Sequence, residues 1–373
     1  MVSIYIRGDF FVCPNPLSLD PYTICEHNCS FCFTKQLEQT LLKRKAQKGL
    51  KPYDTKTLER TLKIAFSRTD YESPVIGALR AGLPVLVGRK CEPLCKSERE
   101  YGATLKVLRL LADFDVPTVV ETKGFIPSDE YFKVLGEMNA GVNVTLTPGP
   151  DELAKRFHEP TTYSERWELI SELRASGIWV GITGEPVIHG FNDKPEYIRA
   201  WLDKAREFKV THVNFGDFRV SNTKIAAEML KSSGVWLTDI IEAKAKTWLE
   251  VGRFIFEEAH KRNLICVTPD WVNFWGLNDS ESCCGFLGFR FKFHLCTFQH
   301  ALALIKRNRR VKLNEVLSHN IYGEKYAEKF RELWRGKPGY FSLADARNVR
   351  KIGVDGEGFP IYGYPKTLEG AFK

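Results

Sequence analysis

Short apolar runs alternate with longer segments of helical period along the first two-thirds of the chain. The runs are Leu17–Pro21, Pro84–Val87, Thr118–Glu121, Val142–Leu146, Ile178–Ile182 and His212–Phe215. Between them, Lys35–Lys48, Thr57–Arg68, Ser97–Asp113, Ser128–Met138, Ser164–Ser176 and Pro195–Phe208 carry apolar positions at helical spacing. Gly177, directly after Ser176, is a helix stop. Strands alternating with helices in this way predict βαβ units and a parallel sheet. Past Phe215 the pattern changes. Asn222–Lys231 and Asp239–Arg262 are predicted helices, and Leu264–Thr268 is a further strand. Trp271–Gly288 is rich in aromatics, Gly and Cys and has no clean period, whereas His294–Lys312 is predicted to be a helix ending in a basic run. This divides the chain into an N-terminal segment (1–16), a β/α unit (17–262) and a C-terminal extension (263–373).

Composition narrows the class. The 373 residues are 43% hydrophobic and 27% charged, an ordinary globular balance. No stretch approaches the roughly 20 continuous apolar residues of a membrane span. The first residues, Met1–Asp9, lack the basic region and apolar core of a signal peptide, so a cytoplasmic location is expected. In a reducing compartment, 10 cysteines favour metal binding or redox chemistry over disulfides. A net charge of +8 favours a polyanionic or nucleotide-bearing partner through the long-range field.

The chemistry concentrates at Cys25, Cys29 and Cys32, a C-x3-C-x2-C pattern followed by the aromatic Phe33. This loop follows the first predicted strand. Iron–sulfur sites ordinarily take four thiolates, and three on one tight loop leave one iron open to a non-protein ligand. A structural zinc site wants four ligands, commonly on two separated knuckles. His27 is a possible fourth ligand only if the same loop folds back on itself.

The flanks carry a family resemblance. Asp20-Pro21-Tyr22-x-x-Cys25-Glu26-His27-x-Cys29, with Cys32 and Phe33 after it, resembles the signature of the radical S-adenosylmethionine (SAM) superfamily, and within it the spore photoproduct lyase-like branch. The turn Val87–Pro93, the segment Glu121-Thr122-Lys123-Gly124, Asn143–Thr147, Glu159-Pro160 with Arg166, and Pro186–Asp193 agree with that branch in order and spacing. The likeness runs from about residue 17 to about residue 220. It departs from the branch at Phe33, where Tyr is usual, and at Thr145, where Ser is common. Glu185 replaces a small residue, and Cys91 and Cys95 replace a polar turn.

The resemblance implies a partial (β/α)6 TIM-like barrel of the radical SAM type, with its chemistry at the C-terminal ends of the strands. It implies a 4Fe-4S cluster on Cys25, Cys29 and Cys32 whose open iron chelates SAM. An electron donor such as ferredoxin or flavodoxin would drive cleavage of SAM to a 5′-deoxyadenosyl radical. Lys123 is the candidate partner of the SAM carboxylate, a point-charge role. Thr145 is the candidate for a hydrogen bond to carboxylate or ribose. Phe33 is expected to pack on SAM, and the backbone at Val187 and Ile188 to bracket adenine. Spore photoproduct lyases return a hydrogen atom from a cysteine near the turn that holds Cys91. For Cys91 that role stands beside an inert thiol or a metal ligand with Cys95. Cys266, Cys283, Cys284 and Cys296 are candidates for a second 4Fe-4S cluster or a zinc ion. The expected activity is radical modification or lyase-type repair of a nucleic acid or nucleotide. The alternatives are a peptide or small metabolite, or a non-catalytic iron–sulfur protein that binds nucleic acid.

Overall fold

The computed structural model describes residues 3–6, 15, 17–36, 49–70, 73–270, 274, 277–280, 283–286, 310–312, 350–354, 356 and 360–363. Its centre is one sheet whose strands follow one another in chain order. β1 (Tyr5–Ile6) pairs antiparallel with β2 (Leu17–Leu19). From β2 onward every pairing is parallel, through β3 (Val85–Val87), β4 (Thr118–Thr122), β5 (Ala140–Thr145), β6 (Trp179–Val187), β7 (His212–Asp217) and β8 (Cys266–Val267). The sheet does not close between β1 and β8 among the described residues, so it is the partial barrel expected. The six predicted β/α strands are all present, and β8, foreseen as a further strand, extends the parallel run to seven.

The helices lie between the strands. α1 (Lys56–Ser67) and α2 (Pro74–Arg80) precede β3, and α3 (Glu98–Tyr101) and α4 (Ala103–Asp113) precede β4. α5 (Asp129–Glu137) leads to β5, and α6 (Asp151–Arg156) and α7 (Tyr163–Ala175) to β6. α8 (Pro195–Glu207) precedes β7, and α9 (Thr223–Lys231) and α10 (Leu237–Lys261) precede β8. The predicted single helix Ser97–Asp113 is two, broken at Gly102 with φ +56°. α7 starts at a full capping box, in which Thr162 accepts from the Glu165 amide and Glu165 reaches back. No described helix is long and apolar enough to cross a membrane.

One expectation on the C-terminal side changes. The predicted helix His294–Lys312 ends instead in strand β9 (Arg310–Lys312), which pairs with β11 (Pro360–Gly363), itself paired with β10 (Arg350–Val354). Most of that predicted helix, like residues 37–48 of an earlier one, lies outside the described residues. The extension also contributes to the barrel interior. Phe286 is fully buried inside it, packed with Leu86 and Val119.

The barrel interior is layered by register. Leu86, Val119, Gly141 and Trp179 face one another across β3 to β6 and form the floor. Above them run Glu121, Asn143, Gly181 and His212, and above those Thr145, Thr183 and Asn214. Floor residues are apolar and upper ones polar, so the strands themselves grade the interior from core to site.

Candidate functional site

A cavity of about 300 Å³ opens at the C-terminal ends of the strands. Cys25, Cys29, Cys32, Phe33, Lys123 and Thr145 all line it. The structure therefore brings together most of the residues singled out from the sequence.

The cysteine loop is held on both sides. Thr23 N donates to Lys51 O at 3.0 Å, and Tyr53 N to Pro21 O at 2.9 Å. On the other flank Ser30 N donates to Phe157 O at 2.9 Å, and Ser30 Oγ meets His158 Nδ1 at 2.8 Å. Acidic side chains stitch the loop to the turn after β3. Asp20 Oδ1 accepts from Lys90 N at 2.7 Å and from Cys91 N at 3.3 Å. Glu26 accepts from Lys96 N and from Ser97 Oγ. Tyr22 donates to Glu98, which also accepts from Tyr131 and from the Thr104 and Leu105 amides at the start of α4. These bonds fix the backbone that carries the three thiols.

Burial pushes the Cys29 thiol up to about 12, with the nearby Lys123 charge opposing. Burial raises Cys25 as well. A bare thiolate is disfavoured there, and a metal removes that penalty by taking the thiolate as ligand. Among the described residues no three His, Cys, Asp or Glu side chains converge on a single ion. Cys25, Cys29 and Cys32 share one cavity wall, and three thiolates are the donor set that an iron–sulfur cluster with one open iron takes. His27 is directed towards Glu26, with Nε2 at 3.7 Å from its carboxylate.

Lys123 sits just past β4. Its amide donates to Glu92 Oε2 at 2.7 Å, and its carbonyl accepts from Thr161 Oγ1 at 2.6 Å. Its ammonium lies 5.8 Å from the centre of the Phe31 ring. Glu92 also accepts from Thr122 Oγ1 at 2.5 Å and from Leu94 N at 3.0 Å, tying the β3 turn to the end of β4. Thr145 ends β5, and its carbonyl accepts from Arg166 Nη1 at 2.8 Å. Arg166 is completely buried and paired with Glu159 at 2.7 Å. The Glu159-Pro160 and Arg166 match in the sequence is thus a brace behind the site.

Other predicted residues fall differently. Val187 points into the apolar core, and Glu185 and Pro186 form the cavity wall there. Cys91 is in the wall, but its thiol donates to Asp20 Oδ1 at 3.7 Å. Burial, with Asp20 beside it, raises that thiol well above its ordinary range. Cys95 is buried against Tyr22 and Ala103 and does not line the cavity. Cys266 lies in the main apolar core because β8 packs there, so it does not join Cys283 and Cys284, which do line the cavity. Cys296 lies outside the described residues, so the four-thiol set predicted for a second metal is not assembled among those described.

The wall at β6 and β7 is polar, and it includes Glu185, which the sequence marked as a carboxylate in place of a small residue. Glu185 accepts from Asn214 Nδ2 at 2.9 Å and lies 3.9 Å from Arg219. Asp217, raised by burial, pairs with Lys244. The pairing of Glu185 with Asn214 joins two adjacent strand ends, and that adjacency is not visible in one chain of letters.

The profile of the Radical SAM superfamily matches residues 19–202. No curated protein matches the chain. Among solved structures, spore photoproduct lyase complexed with dinucleoside spore photoproduct superposes with a TM-score of 0.53 at 10% identity, over 72% of this chain and 78% of that one. SuiB of Streptococcus suis bound to precursor peptide SuiA gives 0.47 at 16% identity, over 68% of this chain and 48% of SuiB. Coproporphyrinogen III oxidase (HemN) from Escherichia coli gives 0.41 at 12% identity, over 92% and 85%. The chain spans about half the length of the SuiB structures it matches, at 48%, 47% and 46%. The likeness to the lyase is one of fold.

Proposed function

From its membership of the radical SAM superfamily, we propose that this chain removes a hydrogen atom from a nucleic acid or nucleotide substrate as the first step of its repair or modification. The observation that carries this reading is the convergence of Cys25, Cys29 and Cys32 with Phe33, Lys123 and Thr145 in one cavity. Cys25, Cys29 and Cys32 would hold a 4Fe-4S cluster, which together with SAM would supply the radical chemistry that breaks an unactivated C–H bond. A low-potential donor of the ferredoxin or flavodoxin kind supplies the electron.

The protein's own part is positioning. Lys123, its backbone fixed by Glu92 and Thr161, offers an ammonium to the SAM carboxylate. Thr145, its carbonyl held by Arg166, offers its hydroxyl to the SAM carboxylate or ribose. Phe33 supplies a ring for packing. Val187 contributes at most backbone, with Glu185 and Pro186 as the wall beside it. For return of a hydrogen atom to a product radical, the resemblance points to Cys91, whose thiol is turned to Asp20. A phosphate-bearing substrate is supported by Arg89, Lys90 and Arg219, cations in the cavity lining, and by the net charge of +8.

Anaerobic reconstitution with iron and sulfide, then SAM and dithionite, is the test. Wild type takes up about four irons per chain and forms 5′-deoxyadenosine. Cluster-loaded protein that forms none refutes the proposal. Nucleic-acid binding that weakens steeply with salt supports the substrate class. Binding indifferent to salt assigns the cavity to a peptide or small metabolite instead.

A further inference from the structure

The ends of β6 and β7 bring polar atoms to the cavity that no other described residue satisfies. Glu185 Oε1 accepts from Asn214 Nδ2 at 2.9 Å. An ionised carboxylate only accepts, so this bond fixes how the Asn214 amide faces: its nitrogen is spent on Glu185 and its oxygen is the free end. Asn214 is 4% exposed and lines the cavity, and its Oδ1 has no partner among the described residues. The other carboxylate oxygen, Glu185 Oε2, has the Arg219 guanidinium at 3.9 Å, beyond hydrogen-bond reach. Gly216 makes room for the carboxylate, since a Cβ there would lie 2.6 Å from Glu185 Cδ. Thr183 pairs in register with Asn214 and lines the same cavity, and its buried Oγ1 is also without a partner.

The wall therefore shows one acceptor on each side of a single hydrogen bond, with a hydroxyl beside them. A buried acceptor left unmet is costly in a packing void and is expected where a ligand brings the donor. The ligand that fits carries two neighbouring N–H groups. An ammonium has them, but Arg89, Lys90 and Arg219 line the same cavity and repel a cation. Cations for a phosphate and paired acceptors for N–H groups together suit a nucleotide. Among the common bases only guanine presents two neighbouring donors, N1–H and the N2 amino group, on its Watson–Crick edge. Adenine and cytosine offer one amino group beside an acceptor, and thymine and uracil one N–H between two carbonyls.

We propose that Glu185 and Asn214 read the Watson–Crick edge of a guanine base held in this cavity, one accepting from N1–H and the other from the N2 amino group. The proposal rests on the nucleic-acid reading above and narrows it. Thr145, the candidate for the SAM carboxylate or ribose, lies in the same interior layer as Asn214, two strands away. A base read by its edge in a protein pocket is one taken out of its stack, which suits a single strand.

Fluorescence anisotropy with labelled single-stranded pentanucleotides, on cluster-loaded protein with SAM and no reductant, tests it. The central base is guanine, hypoxanthine, adenine, cytosine or thymine, flanked by thymines. Hypoxanthine keeps N1–H and lacks the N2 amino group. The guanine pentanucleotide is expected to bind about 10-fold tighter than the hypoxanthine one, because the missing donor leaves a buried acceptor unpaired. Glu185→Gln and Asn214→Leu are each expected to bring that ratio towards 1 while binding of the all-thymine strand is unchanged. A merely loosened fold would weaken all five strands alike. Equal binding of guanine and hypoxanthine, a stronger preference for another base, or a ratio that survives either substitution overturns the assignment and leaves the nucleic-acid reading standing. If Glu185→Gln weakens SAM in calorimetry as much as it weakens the guanine strand, the wall belongs to SAM and the assignment also fails. If no pentanucleotide binds, the nucleic-acid reading falls with it.

Discussion

Arg166 is where the brace behind the site can be broken with a calculable result. Its side chain and that of Glu159 are both fully buried, 2.7 Å apart. The guanidinium also donates to Thr145 O at 2.8 Å, Thr161 O at 2.7 Å and Thr161 Oγ1 at 2.9 Å. Thr161 in turn donates to the carbonyl of Lys123 at 2.6 Å, so one side chain reaches the ends of both β4 and β5. Arg166→Met keeps the apolar stem and removes every donor. Glu159 is left buried with the Tyr163 hydroxyl at 3.2 Å. Removing one partner of a buried pair costs about 3–5 kcal/mol, mainly because the other charge stays uncompensated. At a urea slope of about 3 kcal/mol per M, the midpoint falls by about 1–1.7 M. Adding Glu159→Leu removes the stranded charge, and the double variant recovers most of the loss. The assay is urea unfolding followed by circular dichroism for wild type, both single variants and the double. A shift of under about 0.3 M for Arg166→Met, or a double variant no better than the single, refutes the reasoning.

Replacing Cys25, Cys29 and Cys32 together by Ala abolishes the brown chromophore and all 5′-deoxyadenosine formation, checked by visible absorption and mass spectrometry; a triple variant that still cleaves SAM defeats the cluster assignment. Lys123→Ala weakens SAM binding to the cluster-loaded protein by about 10- to 100-fold in calorimetry, the range of a charge-assisted hydrogen bond, and an unchanged affinity removes Lys123 from the site. His212 is fully buried, and burial lowers its pKa to about 3. Because the unfolded chain binds that proton near pH 6.5 and the folded one does not, stability is complete above about 6.5 and falls by about 1.4 kcal/mol per unit as pH drops towards 3. His212→Leu flattens that part of the stability profile, and an unchanged slope assigns it to other groups. Gly141→Ala drives a methyl into Phe286 and costs about 1–3 kcal/mol in urea unfolding, whereas a neutral effect means Phe286 is not seated on the floor.

The barrel was legible because each parallel strand is a short apolar run and each helix has room for its period. Leu17–Leu19, Val85–Val87 and His212–Asp217 all fall where the runs placed them, within a few residues. Pro74–Arg80 and Asp151–Arg156 escaped because two turns or fewer hold too little period to register. Gly102 broke one predicted helix through a left-handed backbone that no apolar spacing announces.

The site divides along the same physical line. Cys25, Cys29 and Cys32 stood out as a C-x3-C-x2-C pattern within a few residues, and Lys123 and Thr145 through the family resemblance; all five line the cavity at the strand ends. The opposite wall depends on contacts between segments far apart in sequence. Glu185 matters because Asn214, on the next strand, donates to it, and Gly216 leaves the space its carboxylate occupies. Cys284 enters the cavity because Phe286 matches the hole above Gly141 and Gly285 tolerates the left-handed turn against His212. None of these complementary shapes has a period or a motif. Local chemistry therefore pointed to one side of the cavity, and only the fold revealed the contacts that build the opposite wall.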